Sequence, residues 1–127
     1  MLIMQAYERL ITFTERSSFK ALLERFPAGT LDATQLFAVY REAIRTEYEH
    51  NLSQQIYVPE GIWQAVSDMK EQQIFILEQL SGTLPPNSPG TLLEHAILHF
   101  QASDANASMQ PIVLEAIRNA AKKQIAG

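Results

Sequence analysis

Residues 32–55 read DATQLFAVYREAIRTEYEHNLSQQ. Leu36, Phe37, Tyr40, Ile44, Tyr48 and Leu52 recur there at steps of three and four. That spacing puts them on one face of a helix of ~3.6 residues per turn. Thr30 or Asp32 supplies the cap signal ahead of it, so a long helix is expected from Asp32 to Gln55. The same periodicity extends in both directions. Upstream, Ile3, Tyr7, Leu10, Ile11 and Phe13 share a face of a first helix ending near Arg16. Ser17 or Ser18 then caps a short helix with Phe19, Leu22, Leu23 and Phe26, which Pro27 and Gly29 end. Downstream, Pro59 opens a third long helix to Leu80, with Ile62, Trp63, Val66, Met69, Leu77 and Leu80 inward and Gly82 as its stop. After a Pro- and Gly-rich loop, Ser88-Pro89 is expected to cap and start a helix carrying Leu92, Leu93, Ala96, Ile97 and Phe100. Residues 104–107 connect it to a last helix, capped by Ser108, with Ile112, Val113, Ala116, Ile117, Ala120 and Ile125 on its buried face. No stretch alternates with period two for long enough to make a strand. The expectation is an all-α, compact antiparallel bundle of five to six helices, two of them long and central, forming one domain over residues 1–127.

Composition narrows the function. The chain has 127 residues, of which 46% are apolar, enough for a core without covalent staples. It has no cysteine, which removes disulfides, thiol nucleophiles and Cys-based metal centres and suits a reducing, cytoplasmic setting. The net charge is −4, and residues 51–114 hold one basic side chain, Lys70, against six acids. No basic patch marks a nucleic-acid partner. The apolar runs are far shorter than the ~18 residues of a membrane span, so no membrane insertion by this chain is expected. The five glycines never take the spacing of a phosphate-cradling loop, and no Gly-x-Ser-x-Gly elbow occurs. Neither an enzyme activity nor a cofactor is therefore expected.

The densest polar stretch runs from Arg45 to Tyr57. Glu8 and Arg9 on the first helix offer partners for Arg45, Glu47, Glu49 or His50 there, and a polar network is expected that includes Tyr7 or Tyr57. Asn51, Gln54 and Trp63 complete the candidate recognition residues. Such a network fixes helix register, or presents a surface to a peptide or protein. Glu47-x-x-His50 also has the spacing of a di-metal half-site, and His95 and His99 share a helix face. Glu47, His50, His95 and His99 thus make an alternative metal or small-ligand set, although the second Glu-x-x-His copy that a full site uses is missing. Ile74, Phe75, Ile76 and Leu77 cannot all face one core, because consecutive helical side chains point about 100° apart. Some of that surface is expected to meet another helix or another molecule.

Gln5-Ala-Tyr-Glu-Arg-Leu10, Glu49-His-Asn-Leu-Ser-Gln-Gln-Ile-Tyr-Val58, Trp63 and Lys70-Glu71 resemble an uncharacterised bacterial family of the Bacteroidetes type. The resemblance spans Gln5 to Ile125 and is tightest over residues 49–58. It implies a helical domain commonly preceded by one membrane-spanning helix and a charged linker, and it brings no catalytic residue with it. Only residues 1–4 precede the Gln5–Leu10 segment, so a soluble paralogue or an internal start is expected. The leading functional expectation is a helical interaction domain with a protein partner or self-association.

Overall fold

The computed structural model describes residues 2–103 and 108–127. The elements run α1 (Leu2–Arg16), α2 (Phe19–Arg25), α3 (Ala33–His50), a 3-10 helix (Leu52–Tyr57), α4 (Glu60–Gly82), α5 (Gly90–Ser103) and α6 (Gln110–Ala126). Among the described residues there is no strand, only an isolated bridge between Asp32 and Pro89. The fold is all-α, and the described residues form seven helical elements rather than five or six. The seventh arises inside the stretch expected as one helix to Gln55. There α3 stops at His50, because the Asn51 side chain folds back onto the Glu47 carbonyl at 2.7 Å, and a 3-10 helix follows. Leu52, expected on the α3 stripe, consequently stands 41% exposed. The expected connection at residues 104–107 lies outside the described residues.

Local chemistry accounts for the other boundaries. The Ser18 hydroxyl accepts from the Ala21 N–H at the start of α2. Asp32 forms a full capping box with Gln35 at the start of α3. Ser88 does not cap α5 as expected. Its hydroxyl donates to the Pro85 carbonyl and its own carbonyl accepts the Ala33 N–H, so it pins the loop to the start of α3. Beside it, the Gly90 N–H donates to Leu31 O at 2.8 Å, and a Cβ at Gly90 would lie 2.7 Å from that oxygen. Only glycine permits that approach.

One apolar cluster draws on all six α-helices, with Leu10, Leu22, Leu36, Tyr40, Ile44, Met69, Leu77, Leu93, Ile97 and Ile117 among its sealed members. Tyr40 donates its hydroxyl to Phe26 O at 3.1 Å. Burial, and secondarily the charge of Glu94, push the Tyr40 phenol up to about 12. Ile112 and Ile125, expected on the buried face of α6, are instead 69% and 71% exposed. α6 packs on α1 and α4, and only Val113, Ile117 and Ala121 become buried.

A polar knot sits inside this core. Gln73, in the middle of α4, is fully buried. Its amide donates to Ser17 O at 2.9 Å and accepts from the Ser108 hydroxyl at 2.7 Å. Gln110 adds a bond to Thr14 O at 3.1 Å, and Gln72 accepts the Met109 N–H at 2.6 Å. Side chains of α4 thus satisfy groups that the end of α1 and the start of α6 would otherwise leave orphaned.

Candidate functional site

The turn that ends α3 builds the site. Asn51 is 9% exposed, and its backbone N–H donates to Tyr48 O at 2.9 Å. Its side-chain N–H donates to Glu47 O at 2.7 Å, which fixes the amide with Oδ1 turned away from the helix carbonyls. That Oδ1 is buried and has no hydrogen-bond partner among the described residues. A buried acceptor left dry costs about 1–3 kcal/mol, so such atoms are few in folded proteins.

Arginines surround this turn. Arg9 of α1 donates to His50 O at 2.6 Å, placing a cation at the negative end of α3. Arg16 and Arg25 both grip the Glu47 carboxylate, the latter at 2.8 Å. Arg25 also donates to Arg16 O at 3.0 Å, so the end of α1, α2 and the end of α3 are laced together. Glu8, Arg9, Thr12, Arg16, Glu47 and Asn51 line a cleft of about 360 Å³, with buried Phe13 behind them.

A second open surface lies on the other side of Glu47. Phe26, Ala38, Val39 and Ala43 make the apolar lining of a trough of about 650 Å³ between the end of α2 and α3. Arg25 and Arg41 flank it, lying over the Phe26 and Phe37 rings at 4.8 and 5.1 Å.

The candidate residues read from sequence divide as follows. Glu8, Arg9, Glu47 and Asn51 meet at the cleft, and His50 meets Arg9 through its backbone carbonyl rather than its ring. Arg45 and Glu49 lie exposed on α3. Tyr7 is in the apolar core and does not line the cleft; burial raises its phenol pKa. Gln54 is buried and donates to the Ser53 hydroxyl at 3.1 Å, and Tyr57 packs half-buried on the core. Trp63 is half-buried with its ring 5.3 Å from that of Tyr48, whose hydroxyl meets Ser67 at 2.6 Å and whose other face carries Lys70. The alternative ligand set is not assembled. Both oxygens of Glu47 are held by arginines, while His95 and His99 are exposed on α5, where His99 meets Ser103 at 3.3 Å. Among the described residues no three His, Asp or Glu side chains stand together as a metal site. Arg16, Thr12 and Arg25 were not anticipated. A signal for the first two existed: Arg9, Thr12 and Arg16 are spaced three and four apart, one stripe of α1.

Fold and site define an all-helical domain with two open surfaces that share one carboxylate. The chain belongs to the family of unknown function DUF7935, which matches residues 1–124. No curated protein and no solved structure matches it. Among the described residues, no helix is long and apolar enough to cross a membrane.

Proposed function

We propose that this domain is a non-enzymatic assembly module that joins copies of itself head to tail. The observation that supports this is a pair of complementary surfaces on one chain. The outer stripe of α4 runs Gln64, Asp68, Glu71, Phe75, Glu78, all exposed and all three or four apart. Phe75 projects from it 59% exposed, between the acids Glu71 and Glu78. Glu71 shares Lys70 at 2.6 Å. The α2–α3 trough offers an apolar lining between Arg25, which is paired with Glu47, and Arg41, with Glu42 also at its rim. In this reading Phe75 of one copy seats on that lining in the next, and Arg41, which makes no ion pair among the described residues, meets a flanking acid. Burying a phenylalanine ring recovers roughly 1.5–3 kcal/mol. The contact is heterologous, so it propagates unless the rotation between copies closes a ring. A reducing, cytoplasmic setting suits a chain without cysteine.

Light scattering across a concentration series tests this. The mass of the wild-type protein should rise with concentration and fall back in high salt. Phe75→Asp and Ala43→Arg should each give a monomer. Mixing those two variants should restore a dimer and nothing larger, because one intact ridge and one intact trough remain. A wild-type protein that stays monomeric at millimolar concentration sinks the reading.

A further inference from the structure

α5 carries two histidines that neither the core nor the cleft uses. His95 and His99 are four residues apart and both exposed. That spacing puts their Cβ atoms about 5–6 Å apart on one face of the helix. Two imidazoles share one tetrahedral zinc when their ligating nitrogens lie about 3.3 Å apart, as bonds of about 2.0 Å require. Side chains rooted one turn apart converge that far, and helical zinc motifs use this spacing. The His99 ring is also oriented from outside. Its Nε2 meets the Ser103 hydroxyl at 3.3 Å. With Nε2–H donating to that oxygen, the lone pair sits on Nδ1. A metal-binding imidazole is commonly fixed in this way, one nitrogen on the metal and the other in a hydrogen bond. The local charge favours a cation. Glu94 is the only charged side chain in α5, its carboxylate is committed to the Ala28 N–H at 3.0 Å, and the whole chain carries −4.

One chain fills only half of such a shell, since no third His, Asp or Glu stands beside the pair among the described residues. The surroundings of the pair say where the other half comes from. Leu92 and Leu98 flank it on the same face of α5, 39% and 52% exposed. Thr91 and Ala102 are exposed there too, so the face is apolar and carries no charge. A second copy of α5 laid on this face about a two-fold axis sets leucines against leucines and brings the two missing imidazoles. Such an isologous contact is self-complementary, because each copy offers what the other lacks. We propose that His95 and His99 form half of a zinc site, which two copies of the chain complete with four imidazoles. Imidazole ligands suit zinc, and zinc favours four of them in a tetrahedron. Two leucines per copy fall well short of the roughly 800 Å² per partner that a stable interface buries. The contact therefore stands only with the metal in place, which sets it apart from the ridge-and-trough contact of α4.

The test is calorimetric titration of the untagged full chain with zinc chloride, with light scattering on the same samples. It is run on Phe75→Asp, so that the ridge on α4 contributes nothing to the mass. Binding should saturate in the micromolar range at half a zinc ion per chain, the mass should double, and EDTA should return it to the monomer. His95→Asn and His99→Gln, both on exposed side chains, should each abolish the doubling and weaken zinc at least tenfold while leaving the metal-free thermal midpoint in place. The third histidine is the control: His50→Asn should bind zinc and dimerise as before. One zinc ion per chain with no change of mass overturns the proposal. So does the absence of saturation in the micromolar range, or a doubling that survives in both His95→Asn and His99→Gln. A zinc response in Phe75→Asp stands whether or not the wild-type protein assembles head to tail, so the two readings fail separately.

Discussion

Two polar clusters touch α1, and they are built to opposite rules. Around Gln73 the amide is sealed from water, and both its donor and its acceptor are used, on Ser17 O and the Ser108 hydroxyl. Around Asn51 the amide is nearly as buried, but its oxygen has no partner and arginines stand over an open cleft. With nitrogen and oxygen both engaged, the Gln73 amide fixes how α1, α4 and α6 meet. The Asn51 amide is instead half used, its nitrogen holding the end of α3 and its oxygen left dry. The two amides are alike in burial and differ in how completely their hydrogen bonds are met.

The contrast can be broken by mutation. The largest effect is expected at the closed cluster. Gln73→Leu strands the buried Ser17 O and takes the acceptor from the half-buried Ser108 hydroxyl, and should cost about 2–3 kcal/mol in chemical denaturation. Next comes Tyr40→Phe, which removes the bond to Phe26 O and should cost about 1 kcal/mol at neutral pH. Tyr40 also has a pH signature. Its phenol is raised in the folded state from 10.0 to about 12, so the neutral form is the one folding favours. Its contribution is complete below pH 10 and drains away as pH climbs through about 12. Denaturation curves at stepped alkaline pH should show that decline in the wild type and a flatter profile in Tyr40→Phe. Asn51→Leu should cost less than about 1 kcal/mol, because losing the bond to Glu47 O is offset by removing an unsatisfied acceptor. If Asn51→Leu proved as damaging as Gln73→Leu, the distinction between the two clusters would collapse. Smallest of all is Arg118→Ala. Its pair with Glu15, at 3.2 Å, is about half exposed on both sides and should be worth under about 0.5 kcal/mol.

Helix identity was legible wherever apolar spacing and a cap agreed, as at Ser18 and Asp32. It failed where side chains bond to remote backbone. No glycine or proline interrupts residues 32–55, so the stop at Asn51 had only the asparagine itself as its sign. Ser88-Pro89 has the form of a cap, but its hydroxyl and carbonyl are spent on Pro85 and Ala33. The exposure of Ile112 and Ile125 follows from α6 packing on α1 and α4, which periodicity within α6 cannot reveal. Gln73 is the instructive miss. Val66, Met69, Gln73 and Leu77 sit three and four apart, so a polar residue on the core stripe of α4 was itself a sign of a buried bond. At the cleft, Glu47 and Asn51 could be read from the density of polar residues, and Glu8 and Arg9 from the expected packing of the first helix against the long one after it. Arg25 could not, because it comes from a short helix whose placement depends on tertiary packing.

The carboxylate of Glu47 belongs to both open surfaces at once, with Arg16 on the cleft side and Arg25 on the trough side. An anion that recruits Arg16 shifts the load of balancing Glu47 onto Arg25, and an acid docked in the trough does the reverse. Two occupants that compete for one ion triplet carry a coupling free energy, and coupling is reciprocal. Whatever factor a charge bound at one surface imposes on binding at the other, the second imposes on the first. The ion triplet therefore couples the cleft and the trough electrostatically, so that a change of charge at one surface is felt at the other.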